Sequence, residues 1–484
     1  MHSGDSILHL FHMTGSGSSE SVCLLADAGA SHSVPGWITV VFAVLLTAMV
    51  VALALEEKLH AKKSIIVGSF AGLSLILATV MKLLEFGPVE LPDHTLKSLP
   101  IYIPSIDWGV ITIILGASLF VEVTSRSGVF TWMAIVLTRK SCGDPWRLLV
   151  FYGLLTVLFS AVLNNVTAMI IIGSLTTVSL KKLNRNELML GFLITEGLLT
   201  NVGGLLTLIS SVPNIIVGKT AEISFARFFV VAAPYVLVAT AVTLYMARSR
   251  FGIRGLKTEE EKAEARRLVD SFDPCESIPS NRFFWFSVVS LVLFIGGIAG
   301  QAALPFGLDQ LEMGFVALFF AGFVLLAYRS EVDKFYSAVD WDLLAFFASL
   351  FVVIHVMEHA QVLACIGRGI AGMLSLPWPG DSVVLLSSAA AASSVTDNIP
   401  LAAMLAQILN TMNTASDSPY WWCVIFGANL GGNITPIGSA STVVAMTIIH
   451  RQRLKLTFGG FVSTALPFAL IQIILAAVYV LIAV

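Results

Sequence analysis

The stretches LNNVTAMII at 163–171 and TDNIPLAAM at 396–404 each stand in the middle of a long apolar tract, and they decide how the chain is read. Each places a polar pair, Asn164-Asn165 and Asp397-Asn398, where an uninterrupted membrane helix would carry none. The two pairs lie 233 residues apart, as do Asp107-Trp108 and Asp340-Trp341, and Pro234 and Pro467. A second motif, Asn201-Val-Gly-Gly204, recurs as Asn429-Leu-Gly-Gly432 at a spacing of 228, a five-residue difference that a loop absorbs. Weak internal repeats of this kind mark transporters built from two halves of opposite membrane orientation. Each half reads as helices, an Asn-centred break, an Asn-x-Gly-Gly break and one last helix.

Working outward, the rest of the composition agrees. Of 484 residues 56% are hydrophobic and only 12% charged, about half the charge of a soluble domain. Stretches such as Trp37 to Leu55, Ser64 to Leu83 and Phe228 to Met246 approach the ~20 apolar residues that cross a hydrocarbon core. Four regions follow: a polar lead at 1–36, a first repeat at 37–246, a linker at 247–282 and a second repeat at 283–484. The lead holds no Lys or Arg and lacks the basic start of a secretory signal, so it reads as a polar lead rather than a cleaved peptide. Five scattered cysteines without a CxxC pair indicate neither a metal knuckle nor a disulfide frame.

Charge placement sets the topology. The linker carries eight Lys and Arg, including those of KTEEEKAEARR, and should be cytoplasmic. The clusters Lys58/Lys62/Lys63, Arg126, Arg139/Lys140/Arg147, Lys181/Lys182/Arg185, Arg329/Lys334 and Arg451/Arg453/Lys455 should join it, which puts 23 of the 28 Lys and Arg inside. The tract Trp146 to Leu180 is basic at both ends and is therefore predicted to be a re-entrant hairpin from the cytoplasmic face. Its counterpart Asp381 to Met412 has no Lys or Arg near either end and should enter from outside. Ten crossings remain, near 37–55, 64–83, 106–125, 187–218 (broken), 228–246, 283–303, 310–328, 341–359, 420–449 (broken) and 460–483. The expected fold is an all-α polytopic membrane protein of two inverted repeats, each with five crossings and one hairpin. Both termini then fall on the non-cytoplasmic side. The short apolar runs 128–138 and 361–375 fit helices lying in the interface.

Irregular backbone at membrane depth must be buried by protein or line a wet cavity, so the four breaks should face one another. Half-helix N-termini suit anions, and unwound carbonyls suit Na⁺. Asn165, Thr167, Asn201, Thr207 and Ser211 in the first half, with Asn398, Asn429, Asn433, Thr435, Ser439 and Thr442 in the second, supply neutral oxygens of the kind hard cations accept. The bland alternative is that they only cap broken helices. Gly203, Gly204, Gly431 and Gly432 complete the second break of each half. Intramembrane carboxylates mark ion or proton paths by default, which singles out Asp397 at a hairpin tip and Glu196, five residues before Asn201. Glu122 reads instead as a partner for Arg126, since the repeat puts His355 in its place. No Lys or Arg is expected at the midplane. His355-Val-Met-Glu358-His359 matches an H-x-x-E-H zinc pattern, but a third ligand and a water-filled cleft are lacking, and hydrogen bonding among the three is the simpler reading.

At these residues the chain resembles the ion transporter superfamily. LNNVTAMII, ITEGLLTNVGG (194–204), VPNIIVG (212–218), TDNIPLAAM and GANLGGNITPIGSASTVVA (427–445) are similar to its signature blocks. The resemblance is greatest to the branch of arsenite pumps, NhaD-type sodium/proton antiporters and the pigmentation P protein, related to citrate and dicarboxylate carriers. It implies a dimerising scaffold and a transport domain of hairpins and broken helices that slides as an elevator. It maps the first hairpin tip onto Asn164, Asn165 and Thr167 and the second onto Asp397, Asn398 and Pro400. Asn164 stands where the P-protein-like branch usually has Asp, and Ser211-Val-Pro-Asn214 replaces an Asp-Pro-Pro-Asn block. Neither tip has the Ser-Asn-Thr of dicarboxylate carriers.

Three functions follow as expectations. A sodium (cation)/proton antiporter would use Asp397 and Glu196 in turn. A sodium- or proton-coupled carrier of a small anion, whether arsenite, another oxyanion or a carboxylate such as citrate, would bind it on hairpin N–H groups. An intramembrane metalloprotease would need zinc on His355 and His359. The first reading requires Na⁺ and H⁺ as transported or coupling ions, no cofactor or resident metal, and as partners a small ion or solute, lipid and a second copy of the chain, with no nucleic acid.

Overall fold

The computed structural model describes residues 34–84, 88–90, 96–303, 305 and 308–484; residues 1–33 of the polar lead lie outside the described residues. In chain order the helices are α1 (Gly36–Ala54), α2 (Glu56–Leu59), α3 (Lys63–Val80), α4 (Trp108–Arg126), α5 (Val129–Lys140), α6 (Pro145–Val162), α7 (Asn165–Lys182), α8 (Met189–Gly203), α9 (Val212–Thr220) and α10 (Phe225–Arg250). There follow α11 (Glu259–Asp270), α12 (Asn281–Gly300), α13 (Glu312–Ala327), α14 (Val332–Ala338), α15 (Trp341–His359), α16 (Val362–Leu374), α17 (Gly380–Ser393), α18 (Asn398–Thr411), α19 (Pro419–Gly431), α20 (Ala440–Arg451) and α21 (Phe458–Ala483). A short antiparallel strand pair, β1 (Pro88–Glu90) with β2 (Leu96–Ser98), lies between α3 and α4 and was not expected from the sequence.

Among the described residues eight helices are long and apolar enough to cross a membrane: α1, α3, α4, α6, α10, α12, α15 and α21. The expected crossing at 310–328 is the 16-residue apolar α13. The two broken crossings appear as α8/α9 and α19/α20. The tracts expected to form hairpins appear as the helix pairs α6/α7 and α17/α18, which are unequal. The arms of the first have 18 residues each and those of the second 14, so an arm of the first spans about 27 Å, close to a full hydrocarbon core.

Why the elements start where they do is visible in their caps. A side-chain oxygen at the N-cap satisfies a backbone N–H that the first turn leaves without a partner. Asp107 accepts from Val110 N to open α4, and Asp340 from Leu343 N to open α15. Ser224 accepts from Arg227 N to open α10, and Thr457 from Gly460 N to open α21. Both pairs keep the 233-residue offset. In the linker Thr258 and Glu261 form a capping box on α11, and the backbone N–H groups of Thr258 and Lys257 hold the Glu261 carboxyl below its usual range.

The packing between halves is reciprocal. α4 packs on α13 and α3 on α15, which exchanges the second and third helices of the two halves; likewise α7 packs on α20 and α18 on α9, while α8 meets α20 and α19 meets α9. α10 and α21, the last helices, pack on each other. Residues expected on one membrane face also meet. Lys219 Nζ lies 2.7 Å from Asp107 Oδ1 and 3.2 Å from Glu312 Oε2, all three predicted outside, while Ser64 hydrogen-bonds Asp342 at the opposite end.

Candidate functional site

Four helix C-termini (α6, α8, α17, α19) and four N-termini (α7, α9, α18, α20) end at the four breaks. α8 and α19 are buried almost throughout, and at their ends Asn201 and Asn429 reach into the opposite half. Asn201 Nδ2 donates to Ser439 Oγ at 2.9 Å and to Asn433 Oδ1 at 2.8 Å. In the reciprocal arrangement Ser211 Oγ donates to Asn429 Oδ1 at 2.8 Å, and Asn429 Nδ2 to Asn214 Oδ1 at 2.9 Å. Ser441 Oγ donates to Asn201 Oδ1 at 3.1 Å. The first hairpin tip joins through Asn165, whose Nδ2 lies 3.2 Å from Asn201 Oδ1 and whose Oδ1 lies 2.7 Å from Ser160 Oγ.

The hairpins are tied to the broken helices by further repeated bonds. Ser160 Oγ donates to Thr200 O and Ser393 Oγ to Ala428 O. Thr207 Oγ1 donates to Ala161 O and Thr435 Oγ1 to Ser394 O, each at 2.5 Å. Buried polar groups without partners are costly, and here nearly every carboxamide is engaged. Asn214 Nδ2 binds the carbonyls of Gly204 and Thr207, and Thr442 Oγ1 those of Ser439 and Pro436. Gly203 and Gly431 let the strands of backbone touch: a Cβ at Gly203 would stand 2.8 Å from Val157 O, and one at Gly431 2.2 Å from Ala390 O. Gly204 and Gly432 close the same two turns; the carboxamide of Asn165 occupies the space beside Gly204. Asn164, mapped to the first tip by the resemblance, is exposed and caps α7 through Thr167 N. Thr167 is half-buried in that first turn, and Asn398 is buried at the start of α18.

The second tip corrects an expectation. Asp397 caps α18 through Ile399 N, and its other oxygen meets Lys63 Nζ at 2.6 Å. The sequence reading kept Lys and Arg away from this depth; α3 instead starts close enough for its first side chain to extend to the tip. Lys63, Asp397, Pro400 and Ser439 line a cavity of about 350 Å³, floored by α1 residues such as Leu53. Ser439 thus belongs both to the cavity and to the asparagine network.

Glu196 is fully buried one turn and a half before Asn201. Its Oε1 accepts from Thr176 Oγ1 at 2.5 Å and its Oε2 has no hydrogen-bond partner. Its partner is Thr176, whereas that of Asp397 is Lys63, so the two carboxyl groups expected to work in turn have separate partners. A buried hydroxyl string, Thr138 to Tyr152 to Ser179, with links of 2.7 Å, ends three residues from Thr176 on the same helix. Gln472 escaped the sequence reading: its Oε1 accepts from Asn433 and its Nε2 donates to Thr243. The signal was present, as the lone carboxamide of a 26-residue apolar helix. Glu122 pairs with Arg126 at 2.8 Å as expected. Glu358 accepts from Gln407, His359 contacts the carbonyl of His355, and among the described residues no group of three metal-binding side chains gathers there or elsewhere.

Apolar spanning helices around a buried polar centre define an integral membrane protein of the transporter class. Residues 36–427 match the citrate transporter family model, and the chain belongs to that family. An uncharacterized transporter of Mycobacterium bovis is 29% identical over 382 residues, covering 77% of this chain and 86% of that one. The P protein of Homo sapiens is 25% identical over 536 residues, covering 95% of this chain and 62% of that protein. Among solved structures the YdaH transporter of Alcanivorax borkumensis superposes with a TM-score of 0.56 at 15% identity, covering 87% of this chain and 98% of that one. MtrF of Neisseria gonorrhoeae, described as one of a class of antimetabolite efflux pumps, gives 0.55 at 16%, with 88% and 95% covered. These two likenesses speak to the fold alone.

Proposed function

We propose that the chain is a cation/proton antiporter that exchanges Na⁺, or a cation of like size and charge, for H⁺ at the four breaks. The observation that carries this reading is the network of neutral oxygens shared by Asn201, Asn429, Ser211 and Ser439, bordered by the carboxylate of Asp397. Neutral oxygens with one carboxylate suit a hard monovalent cation. Glu196 is the proton carrier in this reading. A lone ionised carboxyl in a dry interior is costly, so its surroundings accept the protonated acid. The hairpins and broken helices move together as an elevator against a scaffold of α1, α3, α4, α12, α13 and α15, in a homodimer with both termini outside. The test uses proteoliposomes with an imposed pH gradient. Addition of Na⁺ or Li⁺ should release protons across the bilayer; the absence of any proton flux removes the antiporter reading.

A second reading has its own support. Lys63 brings an ammonium to the cavity, and the family takes its name from citrate. A sodium- or proton-coupled carrier of a small anion would use that charge together with the N-termini of α7 and α18. Accumulation of labelled citrate or arsenite in the same vesicles, without cation-driven proton flux, would select it.

A further inference from the structure

Lys63 and Asp397 are 334 residues apart in sequence, yet their charges touch at 2.6 Å. The pair is not a surface accident: the Asp397 side chain is only 15% exposed and that of Lys63 31%, and both line the same cavity as Ser439. α3 packs on α15 and α1, and α18 on α9, α16 and α19, with α16 touching α15 and α1 as well. Glu56 Oε1 stands 3.8 Å from the same ammonium and lines the same cavity, so a lysine released from Asp397 has a second carboxylate within reach.

These facts constrain the cation reading, on which this inference rests. A carboxylate in contact with an ammonium is already compensated, and a cation entering the cavity must replace that ammonium to gain the full attraction of Asp397. The exchange leaves the local charge unchanged, because one monovalent cation is traded for another. We propose that Lys63 is the specificity-determining countercharge of the transport site: its ammonium holds Asp397 when no cation is bound and is displaced when one binds. Cation binding and the tie between α3 and the hairpin tip are then mutually exclusive. Binding frees the tip, and release restores the tie. Lys63 also sets a threshold for entry, since a weakly attracted cation fails to displace it.

The test measures binding of labelled Na⁺ to the purified full-length protein, in wild type, K63Q, K63R and D397N. With its competitor removed, K63Q should bind Na⁺ at least tenfold more tightly, K63R should stay near wild type, and D397N should lose binding. A second measurement avoids dependence on the folding of K63Q. In the wild type, the rate at which a small amine-reactive ester modifies Lys63, read by peptide mass spectrometry, should rise several-fold on adding Na⁺. Equal Na⁺ affinity in wild type and K63Q, or a labelling rate that Na⁺ leaves unchanged, would overturn the proposal while leaving the antiporter reading intact. Failure of the wild type itself to bind Na⁺ or Li⁺ would overturn both.

Discussion

The two hairpin tips occupy corresponding places in the two halves and are used differently. At the first, Asn165 is drawn into the shared network by Ser160 and Asn201, and Asn164 caps its helix in the open. At the second, Asp397 faces a cavity that it shares with Ser439 and meets a lysine of the other half, while Asn398 is buried. The framework beneath them is the same, since the bonds from Ser160 and Ser393 and those from Thr207 and Thr435 keep their offsets. Backbone geometry is therefore held in duplicate, and chemistry is free to differ where side chains face the cavity. In the antiporter reading, asymmetry between equivalent positions, rather than the repeat itself, marks where charge would be handled.

The strongest way to break the comparison is through the framework. Gly431→Ala places a Cβ against a backbone carbonyl, which has no rotamer to yield, and Gly203→Ala does the same in the first half. Overpacking of this kind costs about 1–3 kcal/mol even where side chains can move, so both variants should lose the monodisperse folded peak in size-exclusion chromatography. If one half tolerates alanine and the other does not, the duplicate framework is not equivalent after all. Next comes the charge. Asp397→Asn keeps the cap and the shape but removes the carboxylate, and cation-driven proton flux in proteoliposomes should fall to background with folded yield unchanged. Normal flux in that variant would take the second tip out of the mechanism.

A finer contrast separates the two central asparagines. Asn201 touches the first tip and three residues of the second half; Asn429 binds Ser211, Asn214 and the Ile425 carbonyl but no tip residue. Each alanine variant strands buried partners, at about 2–4 kcal/mol, so both should unfold at lower temperature by similar amounts. Transport should suffer more in Asn201→Ala, because only that change loosens a hairpin tip. Equal transport loss at equal stability would mean that the network acts as packing and nothing more.

Much of this arrangement was legible in the sequence because polar residues in membrane helices are conspicuous. Asn165, Asn201, Asp397 and Asn429 interrupt apolar tracts, and their fixed offsets led to the breaks and to the pairing of halves. Two features were not. Lys63 sits among Lys58 and Lys62 in a loop cluster that obeys the positive-inside pattern, and nothing local distinguishes the one lysine that reaches inward; the contact depends on how α3 packs against α15. Gln472 was passed over because a single carboxamide barely alters the apolar reading of α21. The arms of α6 and α7 are long enough to cross a membrane, so length does not decide between a crossing and a re-entrant arm there; the re-entrant reading rests on the charges that flank the tract, Arg147, Lys181 and Lys182.

The smallest expected effect sharpens the comparison from the other side. Glu122 and His355 are also equivalent positions that differ, so asymmetry alone would nominate them as well as the tips. Their surroundings argue otherwise. Glu122 is bound to Arg126 one turn along the same helix, with both side chains partly exposed, and the Arg126 guanidinium lies 5.3 Å from the centre of the Phe335 ring. A pair of this type is worth about 0.3–0.5 kcal/mol, and the arginine keeps its aromatic contact when the carboxylate goes. Glu122→Gln should therefore lower the unfolding temperature only slightly and leave cation-driven proton flux near the wild-type rate. A loss as deep as that of Asp397→Asn would mean that charge crosses the molecule along α4, and the contrast between the tips would no longer identify the site of exchange.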